Sequence, residues 1–102
     1  MLEATETAIG FMKNRERPDL DQNRMLLFAV IRAIEILGEA ANRVSPETRA
    51  RYPEIPWRAA TAMRNRLIHG YFDIDKDVVW STVTGELPAL GSLLTKVLNS
   101  AK

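Results

Sequence analysis

Apolar residues recur along the chain every three to four positions, and alternation with a period of two never persists. A period near 3.6 is typical of amphipathic helices, so the pattern predicts an all-α protein. The first helix is predicted from Leu2 to about Lys13, and the second from Asp21 to about Arg43. The broad apolar face of the second helix comprises Leu26, Leu27, Val30, Ala33, Ile34, Leu37 and Ala41.

Prolines and a small polar residue mark where the next helices begin. Ser45 followed by Pro46 is a strong start signal, because serine caps a helix N-terminus and proline suits the first helical position. The short helix that it opens is predicted to end before Pro53. Pro56 then suits the first turn of a helix that is predicted to continue to about Gly70, since glycine tolerates the backbone conformation of a helix terminus.

A last long helix follows, with Asp73 or Asp75 as its N-cap. Its apolar seam comprises Val79, Val83, Leu87, Leu90, Leu94 and Val97. Pro88 lacks an amide hydrogen, so it is expected to kink this helix near Gly85. Four principal helices and one short helix with short links predict an antiparallel up-and-down bundle, formed by residues 1–102 as a single domain.

Composition narrows the chemistry that the chain can perform. It contains no cysteine and one histidine among 102 residues, so disulfides, thiol catalysis, Cys-ligated zinc and a histidine-rich metal site are excluded within one chain, and no cofactor is expected. The longest strongly apolar stretch, Met25 to Ile31, is too short to span a bilayer, and a signal-peptide pattern is missing, which favours a cytoplasmic location. A net charge of +1 argues against a wide nucleic-acid-binding surface.

The most informative stretch surrounds the only histidine, His69. Arg64 lies five positions before it and Tyr71 two positions after it. With 10 Arg and 2 Tyr in the chain, this spacing arises by chance about 1 time in 500. An isolated histidine more often caps a helix or lies in an interface, and the ring of Tyr71 could simply fill the bundle. The occurrence of Arg64, Asn65 and Tyr71 around His69 instead favours a functional site. Imidazole serves as acid or base near neutral pH, and a guanidinium binds phosphate oxygens in pairs.

Helix geometry limits how Arg64 and His69 meet. Positions five apart on a helix differ by about 140°, so these two residues do not share a face, whereas Asn65 and His69 do. Arg64 must therefore reach around, or the helix must end before His69, or a second chain must contribute. One histidine also cannot easily be acid and base in the same step. A symmetric dimer would supply two copies of His69 and Arg64 across one cleft.

A row of charged residues crosses the otherwise apolar second helix, namely Arg32, Glu35, Glu39 and Arg43. One interpretation is a solvated face with weak ion pairs. The alternative is that Glu35 or Glu39 lies near the cleft and holds Arg64 or a neighbour. Gly38 within the same helix costs about 1 kcal/mol relative to alanine, which indicates a close helix crossing at that position.

Arg64, His69 and Tyr71 resemble the Arg-x4-His-x-Tyr signature of the HepT toxins, a branch of the HEPN ribonucleases, and Asn65 matches the polar residue that often follows the HEPN arginine. Further matches are residues 34–41 (IEILGEAA), 52–57 (YPEIPW) and 63–72 (MRNRLIHGYF). The resemblance implies a small helical bundle that forms a homodimer. It also implies a partner, an MntA-like nucleotidyltransferase antitoxin that transfers AMP units to Tyr71.

The expected function is therefore that of a metal-independent RNA endonuclease toxin in a type VII-like toxin–antitoxin pair, with RNA as substrate. Arg64 and His69 are the expected catalytic residues, and Asn65, Glu35 and Glu39 are expected to support them. A non-catalytic helical subunit that positions the substrate of a minimal nucleotidyltransferase is the main alternative, and a purely structural dimer is a third possibility.

Overall fold

The computed structural model describes residues 1–68 and 73–100. The helices in these ranges are α1 (Leu2–Phe11), α2 (Asp19–Gln22), α3 (Arg24–Asn42), α4 (Pro46–Arg51), α5 (Trp57–Leu67), α6 (Lys76–Ser81) and α7 (Leu87–Ser100). A π-helical segment, Thr82–Glu86, joins α6 directly to α7. Within the described ranges, extended pairing is limited to a single antiparallel bridge between Ile68 and Ile74. The prediction of an all-α protein is therefore confirmed.

Helix α3 lies at the centre of the fold because it packs against both α1 and α5, while α1 also packs against α7. Every residue of the apolar face predicted for this helix is buried. The seam of the last helix is buried as well, from Val79 through Val97. The period-3.6 pattern thus identified the core-facing side of both helices, as expected when burial of an amphipathic face supplies most helical stability.

Side-chain caps begin two helices where the sequence predicts them. The Ser45 hydroxyl accepts a hydrogen bond from the amide of Thr48 at 3.2 Å, at the start of α4. Of the two aspartates that could cap the last helix, Asp75 is the N-cap, and its carboxylate accepts from the amide of Val78 at 3.1 Å. Each cap satisfies one of the amide groups that a helix N-terminus leaves without a partner.

The second helix was predicted to begin near Asp21, and the long helix begins at Arg24 because a separate short helix, α2, occupies Asp19–Gln22. Asn23 separates α2 from α3 with an extended backbone (φ −123°, ψ 94°). Its side chain accepts a hydrogen bond from the amide of Leu26 at 3.0 Å and so caps α3. Asparagine is among the preferred N-cap residues, which accounts for the new start at Arg24.

The irregularity expected near Gly85 takes the form of a π-helical turn. The amide of Leu87 donates to the carbonyl of Thr82, five residues earlier, at the end of this segment. Pro88 cannot donate to the carbonyl of Thr84, as a regular α-helix would require. The wider turn is how the chain continues into α7 past this proline, consistent with the single-turn π insertions found inside α-helices.

Helices α3 and α5 come into contact at Gly38, where the sequence predicted a close crossing. A Cβ atom at Gly38 would lie 3.4 Å from the carbonyl oxygen of Ala60 and 3.5 Å from that of Thr61. These contacts are with backbone, which cannot rotate away as a flexible side chain could. A Cβ atom would therefore fit in ordinary contact, whereas a longer side chain at this position would push the two helices apart.

Substitution of Gly38 by leucine is expected to destabilise the fold by about 1–3 kcal/mol, because the added side chain must push α5 away from α3. Gly10 provides the matched control, since it also lies within a helix but has nothing within 4 Å of its Cβ position. Gly10→Leu should be neutral or gain up to about 1 kcal/mol from helix propensity. Urea unfolding followed by circular dichroism measures both; equal effects of the two substitutions would contradict the close crossing.

Candidate functional site

A polar cleft of about 480 Å³ lies along the crossing of α3 and α5. Four residues of α3 line it (Glu35, Gly38, Glu39 and Asn42), together with three residues of α5 (Thr61, Arg64 and Asn65). Each set follows the three- and four-residue spacing of a single helix face. The structure therefore places Arg64, Asn65, Glu35 and Glu39, four of the residues singled out in the sequence, around one cleft.

The acidic wall of the cleft carries its own counter-ion. Nη1 of Arg32 lies 3.6 Å from Oε2 of Glu35 and 3.7 Å from Oε1 of Glu39. Both distances exceed that of a hydrogen bond, and the Arg32 side chain is 60% exposed, so solvent screens these pairs and each contributes little to stability. Within the described residues, the ion-pair partner of both glutamates is Arg32 and not Arg64.

The two arginines of the motif differ in what they contact. Arg66 forms a bidentate pair with Glu86, with nitrogen–oxygen distances of 2.6 and 3.1 Å. These hydrogen bonds raise the pKa of Arg66 above its ordinary value, so its charge is already matched. Arg64 is exposed and makes no hydrogen bond or ion pair with any other residue in the ranges 1–68 and 73–100. Its guanidinium is thus available to a ligand in the cleft.

His69 and Tyr71 lie outside the described residues, on the connection between α5 and α6. The base of this connection is closed: Ile68 pairs with Ile74, and the amide of Asp75 donates to the carbonyl of Leu67 at 2.7 Å. Helix α5 ends at Leu67, so the prediction that it continues to about Gly70 is wrong. Of the three alternatives for how Arg64 and His69 meet, the one that needs the helix to end before His69 agrees with the end of α5 at Leu67; the position of His69 itself lies outside the described residues.

An ion-pair network holds the far side of the same connection. Arg17 pairs with Asp77 in the first turn of α6 at 2.7 Å and with Asp21 at 3.1 Å. The hydrogen bond to Asp77 is the main cause that raises the pKa of Arg17. Sequence analysis missed this network, because 60 residues separate Arg17 from Asp77 and no local pattern links them.

Two further properties concern the described ranges alone. Residues 1–68 and 73–100 contain no group of three or more His, Cys, Asp or Glu side chains arranged to hold a metal ion. In the same ranges, every helix is too short or too polar to cross a bilayer.

The chain matches the family model described as "Ribonuclease HepT-like" over residues 1–97, and it therefore belongs to the HepT-like ribonuclease family. The resemblance seen in the motif is thereby confirmed. No solved structure was found to match the chain.

Three relatives illustrate the range of similarity. "Putative RNase MJ1216" of Methanocaldococcus jannaschii is 35% identical over 98 residues, which are 96% of this chain and 81% of that protein. "Putative RNase MJ1380" of the same organism is 37% identical over 90 residues, or 88% of this chain and 83% of that protein. "Probable ribonuclease HepT" of Thermococcus cleftensis is 46% identical over 70 residues, or 69% of this chain and 64% of that protein.

Proposed function

We propose that this protein is an endoribonuclease that cleaves RNA without a metal ion, through attack of a 2′-hydroxyl on the adjacent phosphate. The observation that carries the proposal is the placement of Arg64 and Asn65 in a polar cleft, with Arg64 unpaired among the described residues, in a chain of a ribonuclease family. His69 follows Asn65 by four residues and supplies the titratable group that the reaction needs.

The reaction assigns a role to each residue. A base removes the 2′-hydroxyl proton, the 2′-oxygen bonds to phosphorus, and the bond from phosphorus to the 5′-oxygen breaks as an acid protonates that oxygen. The products are a 2′,3′-cyclic phosphate and a 5′-hydroxyl. His69 transfers protons, Arg64 stabilises the charged phosphorane, and Asn65 supports the phosphate as a hydrogen-bond donor. Glu35 and Glu39 line the α3 side of the cleft, opposite Arg64 and Asn65, and have a supporting role there.

The proposed active form is a homodimer, since one histidine per chain does not readily serve as both acid and base. An exposed stripe on α3 suits such an interface: Met25, Phe28 and Ile36 are 82%, 53% and 43% exposed. This stripe continues along the helix into the acidic wall of the cleft at Glu39. Met25 and Phe28 are neighbours on this face, and Arg32 lies between Phe28 and Ile36. Exposed apolar residues on one helix face are a frequent mark of a protein–protein interface. Helices α3 and α5 would then bring two copies of Arg64 together.

Control of the proposed toxin lies at Tyr71, two residues after His69. A nucleotidyltransferase antitoxin of the MntA type would transfer AMP units to the tyrosine hydroxyl, displacing pyrophosphate from ATP. Each AMP unit would add a phosphodiester charge to the stretch that carries His69, so RNA would be both repelled and excluded sterically.

The first prediction of this function concerns catalysis. Arg64→Ala and His69→Ala should each lower RNA cleavage by about 10²–10⁴, because both side chains act on the transition state. Arg58→Ala is the matched control, since Arg58 is an exposed arginine of α5 that does not line the cleft. Labelled single-stranded RNA reports cleavage, circular dichroism reports folding, and mass spectrometry should find cyclic phosphate ends.

Retention of cleavage by the His69 variant would remove that residue from the mechanism. Addition of EDTA to the wild type separates the metal-independent route from a metal-dependent one: the rate should not change. A rate that falls with EDTA and returns with Mg²⁺ would contradict the proposed chemistry while leaving ribonuclease activity in place.

The second prediction concerns assembly. Light scattering should return a dimer of the 11.5 kDa chain, and Ile36→Glu should convert it to an inactive monomer, because a charge would be buried in the interface. Leu98→Glu is the matched control, since Leu98 is similarly exposed, at 49%, but lies on α7. Mixing wild type with excess His69→Ala should reduce the activity per wild-type chain. A fully active monomer would overturn the dimeric site.

The third prediction concerns control. Co-expression with the cognate nucleotidyltransferase should add mass in AMP units to the peptide that contains Tyr71, and the modified protein should lose RNA binding. Tyr71→Phe retains the ring but removes the acceptor oxygen, so this variant should escape modification. Tyr52 is the internal control, as the only other tyrosine of the chain. An adduct on Tyr52, on the partner, or on neither protein would contradict this mode of control.

A further inference from the structure

The two walls of the cleft differ in what they can bind. The α5 wall carries Arg64 and Asn65, which donate hydrogen bonds, whereas the α3 wall carries Glu35 and Glu39, which as carboxylates only accept them. A phosphate group is attracted to Arg64 and repelled by the two glutamates. An RNA strand bound through its phosphate at α5 therefore presents another part of the nucleotide to α3.

The polar groups of the α3 wall are open to a ligand. Arg32 lies beyond hydrogen-bond distance of Glu35 and Glu39, and neither carboxylate accepts a hydrogen bond from any residue in the ranges 1–68 and 73–100. The side-chain amide of Asn42 is likewise without a hydrogen bond in the described part of the chain. Arg49 donates to the main-chain carbonyl oxygen of Asn42, at 3.0 Å, and not to the side chain. Arg32 offsets one of the two negative charges of the wall without occupying its acceptors.

We propose that the α3 wall is a nucleobase subsite that selects guanine beside the scissile phosphate, an inference that rests on the proposed ribonuclease function. Guanine carries two adjacent donors on its Watson–Crick edge, N1–H and the N2 amino group. These match the two oxygens of a carboxylate of Glu35 or Glu39 in a bidentate arrangement. The amide of Asn42 can in addition donate to O6 or N7 of the same base.

The other bases fit this wall less well. Adenine and cytosine place one amino group beside a ring nitrogen that carries a lone pair, which would face a carboxylate oxygen. Uracil offers a single N–H group between two carbonyl oxygens. The expected order of preference is therefore guanine first and uracil last, because unmatched acceptors facing each other cost binding energy.

The size and accessibility of the cleft suit one nucleotide. Its volume of about 480 Å³ lies within the range of small-ligand sites. Recognition through the Watson–Crick edge requires that this edge be free, so the substrate is single-stranded at the cleaved step, as is usual for sequence-specific RNA recognition.

Chimeric oligonucleotides test the subsite directly. Each is a DNA strand with one ribonucleotide, so that cleavage through a 2′-hydroxyl occurs at a single step. In one series the base of the ribonucleotide is varied, and in a second series the base that follows it is varied. The wild type should cleave the guanine substrate about tenfold or more faster than the uracil substrate in one of the two series, the discrimination typical of a bidentate contact.

Isosteric substitutions identify which glutamate recognises the base. Glu35→Gln and Glu39→Gln replace an acceptor pair by one acceptor and one donor, so at least one of them should reduce the guanine-to-uracil ratio to about threefold or less. Glu54→Gln is the matched control, because Glu54 is exposed in the connection before α5 and does not line the cleft. Its ratio should equal that of the wild type. Guanosine monophosphate should inhibit cleavage more strongly than uridine monophosphate.

The outcomes separate failure of the subsite from failure of the function. Equal rates with all four bases in both series would overturn the guanine subsite and leave the ribonuclease in place. A uniform loss of rate in both glutamine variants, with the ratio unchanged, would also overturn it and assign the glutamates to support of Arg64. Absence of cleavage of every oligonucleotide and of natural RNA would instead overturn the proposed function itself.

Discussion

The close crossing of α3 and α5 at Gly38 is the constraint on which the rest of the molecule depends. Carbonyl oxygens of Ala60 and Thr61 lie 3.4 and 3.5 Å from the position of a Cβ atom there, so a side chain longer than that of alanine would separate the helices. Helix α3 is also the element that packs against α1. Gly38 therefore lies both in the buried face of α3 and in the lining of the cleft. Its cost in helix propensity, about 1 kcal/mol, is offset by the packing that the short distance permits.

The fold was predictable where local chemistry decides it. Ser45 and Asp75 cap helices as expected, because capping depends on a few neighbouring residues. The break at Asn23 was missed although asparagine is a good N-cap, because Asp21, two residues earlier, is an equally preferred N-cap residue. The disturbance caused by Pro88 was located but not its form, because a kink and a π-helical turn both accommodate a missing amide hydrogen.

The sequence predicted which residues line the candidate site better than it predicted how those residues are arranged. The spacing of Arg64 and His69 raised the question of whether one helix carries both, and the observed end of α5 at Leu67 answers that it does not. The charged row on α3 pointed to the cleft, yet its ion pairs run to Arg32, which a helical spacing of three or four permits equally well. Contacts such as that between Arg17 and Asp77 arise from tertiary packing and leave no trace in a local pattern.

The pairing of charges around the cleft bears on where a chain of net charge +1 would bind a polyanion in the proposed function. Arg66 is matched by Glu86, and Arg32 is shared by Glu35 and Glu39, so in the described part of the chain Arg64 is the unmatched cation of the cleft. In the proposed function, Arg64 binds the phosphate near the end of α5, beside the connection that carries His69. The acidic wall opposite repels phosphate, so another part of the nucleotide would turn toward α3.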